Sequence, residues 1–328
     1  MTSAEEGRSS RDRKVRLPES TLRKYRRFSL HNSPYPAHDA GCAIDLYPAS
    51  NEGRSPVAGE VIEARTVRAP SKPYASDEEY LLLVDVDREA SGLEAAPAEG
   101  LAARILHVRP TVEAGDRIEV GEPLGPMIRS GFFAPWVANH VHVGFRRPEQ
   151  NLRRANGSLP VDVGVGIDPV PWDGTGTVTE VGETYALLDA PEHPAPGDRF
   201  AGLAATSGDC DSDGTARSSD ADGSGRRVVL DGGFAHYAAG GALGGDGGRD
   251  ADGTVSWLGQ PIGDRTGRTV AWRDVDVLAN GERITGLSLF VGIDPAFGAK
   301  LVCPDRTFAV GETVRIALRE SDEPIRLG

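Results

Sequence analysis

Lysine is nearly missing from this 328-residue chain: only Lys14, Lys24, Lys72 and Lys300 occur, and Arg supplies the rest of the 36 basic residues. Against 49 Asp and Glu, the net charge is −13. That excludes nucleic acid as a partner, because a polyanion is held by a basic face that neutralises phosphates. An acidic, Arg-over-Lys surface fits a salty cytoplasm that screens self-repulsion. Aromatics are scarce at 6%, while 41 Gly and 23 Pro interrupt the chain, which favours turns and strands over long helices. No apolar run approaches a membrane span, so no membrane partner is expected. Cys42, Cys210 and Cys303 are the only cysteines. They cannot all pair within one chain and share no metal spacing. The first residues run into charge without the apolar centre of a secretory signal. A reduced, cytoplasmic protein is the expectation.

What remains is strand and turn. The length suits about two domains. Residues 1–28 read as a basic arm, with Ser20 or Thr21 placed to cap a short helix over Leu22–Arg27. Residues 29–155 read as a first β domain, with strands around Val57–Ala64, Tyr80–Val86, Arg104–Val108, Arg117–Val120 and His140–Phe145. Residues 156–328 read as a second β-rich domain, with Gly/Asp/Ser-rich stretches at 206–226 and 240–253 as flexible insertions. The Asn280-Gly281 pair predicts a tight hairpin. The fold class is mainly β, with antiparallel sheets.

The chemistry lies in three short runs in the first domain. His140-Val-His142 sits in a strand pattern, where side chains two apart share a face. Upstream, His38 and Asp45 complete a His₂Asp set. Three protein ligands with a fourth position left to water is the arrangement of a catalytic rather than a structural zinc site. The expected ligands of Zn²⁺ are therefore His38, Asp45 and His142. His140, beside them, is placed to act as general base, and the lone His107 to donate to a developing oxyanion. The alternative is a non-catalytic module that uses the same groove, with or without metal, to bind a peptide or partner.

The run His38-x-x-Gly41-x-Ala43-x-Asp45 resembles the zinc motif of D-alanyl-D-alanine carboxypeptidases. The surrounding domain, over roughly residues 35–147, is similar to the lysostaphin-type (LytM) peptidases. Gly53-Arg-Ser-Pro-Val57-Ala-Gly59-Glu-Val61 is similar to their first hairpin, and Val112 to Gly125 to the strand and turn before their last motif. That motif is usually His-Leu-His-Phe and here is His140-Val-His142-Val; His107 sits where the family keeps another active-site His. The resemblance implies a barrel-sandwich-like peptidase fold (a duplicated hybrid motif), zinc as cofactor, and hydrolysis of a peptide or peptide-like substrate. Two departures stand out. The family's usual His-x-x-x-Asp is three residues shorter than the interval here, with Gly41 where its His would fall. The carboxypeptidases' late Glu near a Trp-His pair has no counterpart.

Other signals carry less. Asp209-Cys-Asp211-Ser-Asp213-Gly214 with Asp220 fits a calcium loop in spacing, but its acidic, Gly/Ser-rich setting without helical flanks reads as solvated loop. The glycine runs near Gly240 and Gly244 lack the Lys-Ser/Thr ending of a P-loop. A lipoyl or biotinyl carrier would display a Lys at a hairpin tip, and Lys72 lacks that context. His193 and His236 have no partners at ligand spacing and read as loop residues, while His31, seven residues before His38, is a minor auxiliary candidate.

Overall fold

The structure is a computed structural model and describes residues 14–93, 95–210, 216–217, 226–244 and 252–327. It is nearly all β, and the chain divides into two compact units. The first holds the chain up to Leu30 and Pro36–Val165; the second holds His31–Tyr35 and the chain from Gly166 onward. Among the described residues no helix is long and apolar enough to cross a membrane.

The first unit contains strands β1 (Val15–Pro18), β2 (Arg27–Ser29), β3 (Ala43–Tyr47), β4 (Glu52–Arg54), β5 (Ala58–Val67), β6 (Glu79–Asp87), β7 (Ala102–Leu106), β8 (Arg117–Ile118), β9 (Pro123–Pro126), β10 (Val141–Arg146) and β11 (Val161–Gly164), with one-turn helices α1 (Glu19–Leu22) and α2 (Pro36–Asp39). Seven of the strands form one antiparallel sheet in the order β2, β3, β10, β7, β6, β5, β8. Strands β4 and β9 form a separate antiparallel pair. The alternation of Val141, Val143 and Phe145 with His142 makes β10 two-faced. Those three apolar side chains are fully buried, with Ile44 and Leu46 of β3. At about 25 cal/mol per Å² of apolar area, this layer fixes the register, since a one-residue slip would turn the His face into the core.

The basic arm needs correction. From Val15 the segment is part of the first unit: β1 pairs in parallel with β11, and Val15, Leu17, Leu22 and Phe28 are fully buried. Apolar residues spaced between Arg and Lys supply that core, and the charge run hides them. Helix α1 starts one turn before the expected Leu22–Arg27, and no side chain caps it. The first unit also reaches beyond residue 155, because β11 belongs to it.

In the second unit, strands Phe200–Cys210, Arg226–Phe234, Ala239–Gly244, Thr269–Trp272, Gln260–Thr266 and Gly253–Trp257 close into a six-stranded antiparallel barrel. Closure removes unpaired sheet edges, and Val228, Leu230, Val255, Ile262 and Val270 fill its core. Parts of the expected insertions are thus strand: the first runs through Cys210, and Gly240–Gly244 lies inside a paired strand. Residues 211–215, 218–225 and 245–251 lie outside the described residues, and with them most of the Asp209–Asp220 loop. The Asn280-Gly281 hairpin forms as expected: Ala279 pairs with Glu282, and both turn residues have positive φ, 52° and 83°, as a type I′ turn requires.

Candidate metal centre

Asp45 and His142 are direct cross-strand partners on β3 and β10, so their side chains rise together from one face of the sheet. Asp45 Oδ1 lies 2.9 Å from His142 Nδ1. His140 precedes β10 by one residue and shares that face; its Nε2 is 3.3 Å from the same Asp45 oxygen. Its Nδ1 donates to Ala138 O at 3.0 Å, and its ring rests near Tyr47, with centroids 5.1 Å apart.

His38 reaches the cluster from α2, not from a strand. Gly41, at φ 59°, ends that turn in the left-handed conformation glycine adopts without strain. There Gly41 N donates to His38 O and Cys42 N to Ala37 O. The long interval between His38 and Asp45 is thus spent on a helical turn and its cap. His38 Nδ1 donates to Leu30 O at 2.8 Å. A carbonyl only accepts, so Nε2 carries the lone pair, 3.1 Å from His142 Nδ1 and 3.4 Å from Asp45 Oδ1.

Among the described residues, His38, Asp45 and His142 are the group able to hold a metal ion. Their facing atoms are separated by 2.9, 3.1 and 3.4 Å. The edge of a tetrahedron with zinc–ligand bonds of ~2.0–2.1 Å is about 3.3 Å, so the donor set fits zinc in spacing and in kind. Burial works against the Asp45 carboxylate, but the neighbouring His140 and His38, with the hydrogen bond from His142, hold its pKa well below the usual range. Burial pushes His142 down to about 4, against the pull of Asp45. At neutral pH the site offers a carboxylate and neutral imidazole, the forms that ligate metal.

His107 follows β7 directly and completes the five residues singled out by sequence. Its ring centroid lies 5.3 Å from that of His140 and 5.6 Å from that of His142. Its backbone is left-handed, with φ 70°, which costs a non-glycine residue on the order of 1 kcal/mol. The expected strand through Val108 therefore stops at Leu106. Sequence reasoning missed what holds His107 there. Glu79, at the start of β6 and 1% exposed, accepts from the His107 backbone N at 3.1 Å and from its Nδ1 at 2.9 Å. It also accepts from Tyr80 N at 2.9 Å and from the Ser130 hydroxyl. Burial would raise the Glu79 pKa, but the bonds from His107 and Ser130 bring it below the ordinary value. Desolvation lowers that of His107 in spite of Glu79.

A second missed feature closes the site. Phe133 packs on both histidines, 4.6 Å from the His107 centroid and 4.4 Å from that of His140. Its segment is pinned by Arg129, whose guanidinium donates to the carbonyls of Ala134, Pro135 and Val137, and by Tyr74, whose hydroxyl donates to Phe133 O at 2.8 Å. Gly131 admits no side chain, since a Cβ there would stand 1.9 Å from Pro70 O. His38, Asp45, His140 and His107 are all buried, and the His142 side chain, 16% exposed, is the open edge of the cluster.

Comparison with known proteins gives two family models. One, described as "Domain of unknown function (DUF8155) N-terminal domain", matches residues 16–163. The other, described as the C-terminal domain of the same family, matches residues 168–319. No curated protein matches the chain. Among solved structures, the NMR solution structure of lysostaphin is similar at 15% identity, over 83% of this chain and 89% of that one. Its TM-score of 0.23 is too low to support an argument.

Proposed function

Since the chain belongs to the DUF8155 family, whose description assigns no activity, we propose a function from the cluster itself: a zinc-dependent hydrolase of a peptide or amide bond. One observation carries this reading. His38 Nε2, Asp45 Oδ1 and His142 Nδ1 converge at ligand spacing, with two further histidines beside them that the ligand set does not use. The motif order that resembles lysostaphin-type peptidases supports the same reading, as does the metal site's open edge at His142.

Zinc bound there would supply Lewis acidity, easing deprotonation of a water and polarising a substrate carbonyl. The chain's own groups do the rest. Leu30 O orients His38 and the sheet register orients Asp45 and His142, so the donors are positioned before any ligand arrives. His140 donates Nδ1–H to Ala138 O, which leaves Nε2 to take a proton. In hydrolysis the water oxygen bonds to the carbonyl carbon and the C–N bond breaks. The proton held at His140 Nε2 passes to the departing nitrogen, giving a carboxylic acid and an amine. Phe133 excludes water from the His107 and His140 rings. The free thiol of Cys303 suits the reducing cytoplasm in which we place the protein.

The burial of the cluster favours a second reading, in which the same residues hold metal without turnover and the groove serves to bind a peptide. The test is to incubate the zinc-loaded chain with a mixed peptide library and look for new amino termini by mass spectrometry. New termini that vanish in His140→Ala and Asp45→Ala support the hydrolase. One zinc per chain with no new termini supports the second reading.

A further inference from the structure

Glu79 is used by neither the ligand set nor the proton transfer described above, yet it is more fully engaged than any other carboxylate near the cluster. Its two oxygens divide the work. Oε1 accepts from two backbone amides, Tyr80 N at 2.9 Å and His107 N at 3.1 Å. Oε2 accepts from His107 Nδ1 at 2.9 Å and from the Ser130 hydroxyl. An ionised carboxylate has no proton to give, so His107 must donate from Nδ1. The remaining ring nitrogen, Nε2, then carries a lone pair and makes no hydrogen bond among the described residues. The ring lies among those of His140, His142 and Phe133, at centroid distances of 5.3, 5.6 and 4.6 Å. The same carboxylate grips the His107 backbone amide, at a residue with a left-handed φ of 70°, while Ile128 N donates to its carbonyl at 2.9 Å. Ring and backbone amide are held by one side chain.

We propose that Glu79, steadied by Ser130, is the positioning residue of this centre: it locks His107 as the Nδ1–H tautomer with the Nε2 lone pair turned to the cluster. His107 then meets substrate as a proton acceptor, or as an acceptor of a substrate N–H. It is not the neutral oxyanion donor that its place in the sequence suggested. The logic is that of a carboxylate that sets the tautomer of a histidine from behind. The inference deepens the hydrolytic reading of the same site. Its test needs neither metal nor substrate, so the two fail separately.

The test is the tautomer of His107, read from long-range nitrogen–proton correlations of the full chain labelled with ¹⁵N-histidine. The signal is assigned as the one lost in His107→Gln. The native chain is expected to show Nδ1 protonated and Nε2 bare. In Glu79→Gln two backbone amides still require an acceptor at Oε1, so the amide oxygen takes that place and the NH₂ faces His107 Nδ1. The proton is then expected to move to Nε2, while His38, held by Leu30 O, keeps its own tautomer as an internal control. Ser130→Ala should leave His107 as Nδ1–H. A native His107 found as Nε2–H, or exchanging between both tautomers, would overturn the proposal, as would Nδ1–H persisting in Glu79→Gln. If Glu79→Gln fails to fold, the native spectrum alone decides.

Discussion

Replacing Glu79 with Ala should be among the most damaging single changes in the first unit. The carboxylate is 1% exposed and accepts four hydrogen bonds, two from backbone amides and one each from His107 Nδ1 and Ser130. A hydrogen bond to a charged group contributes roughly 1.5–3 kcal/mol, and a buried donor left without a partner costs about 1–3. These terms overlap, and losing the carboxylate also removes the cost of having buried it. The loss expected is therefore that of breaking a buried pair, about 3–5 kcal/mol. It includes release of the strained His107 backbone amide, leaving that residue's main chain held by the bond from Ile128 N to its carbonyl. For a unit of this size that is a fall in Tm on the order of 10 °C. Glu79→Gln keeps the acceptor for both backbone amides and should cost only about 1–2 kcal/mol. The assay is urea unfolding combined with hydrogen exchange at the amides of β6 and β7, which reports the first unit alone. A Glu79→Ala loss below about 1 kcal/mol would refute the reasoning, because it would mean that the four donors find water or other acceptors in the folded state.

Further outcomes follow from the same geometry. Zinc at about a hundredfold over its Kd should stabilise the chain by ~2.7 kcal/mol, a rise in Tm of several degrees in a calorimetric scan, and His142→Ala should abolish the rise. Arg129→Ala frees three carbonyls between Ala134 and Val137. It should speed hydrogen exchange there at least tenfold and expose His107 and His140 to chemical modification, while an unchanged exchange rate would mean that Phe133 packing and the Tyr74 bond to Phe133 O hold the segment without Arg129. In the second unit, burial pushes His236 down to about 3. The unfolded chain binds its proton near pH 6.5 and the folded chain does not. Stability is thus fully present above that pH and falls below it, by up to about 1.4 kcal/mol per pH unit. Urea titrations of the second unit from pH 7 to 5 should show this slope, and His236→Asn should flatten it.

The β class and the division into two units were legible because they depend on local signals: apolar alternation, glycine and proline punctuation, and the Asn280-Gly281 turn. The positions of His140 and His142 could be read from strand period alone. Two kinds of information were not local. The arm looked solvated because Val15, Leu17 and Leu22 are diluted by Arg and Lys, and the pairing of β1 with β11, far along the chain, is a partner no local pattern records. Glu79 had no spacing that tied it to His107. The tie comes from the β6–β7 register, which sets Leu81 opposite Leu106 and so brings the start of one strand beside the end of the other. Arg129 and Phe133 lie in a Gly- and Pro-containing loop, where side-chain placement follows from backbone turns that no periodic pattern records.

Zinc held by His38, Asp45 and His142 is the premise of every catalytic role proposed above. It is tested most directly by elemental mass spectrometry of the chain, purified without chelator or polyhistidine tag, beside Asp45→Ala and His142→Ala. Near one zinc per chain, lost in both variants while their folded β spectrum persists, is the result expected. A chain that carries no zinc and takes up none on addition, or variants that retain it, would contradict the account.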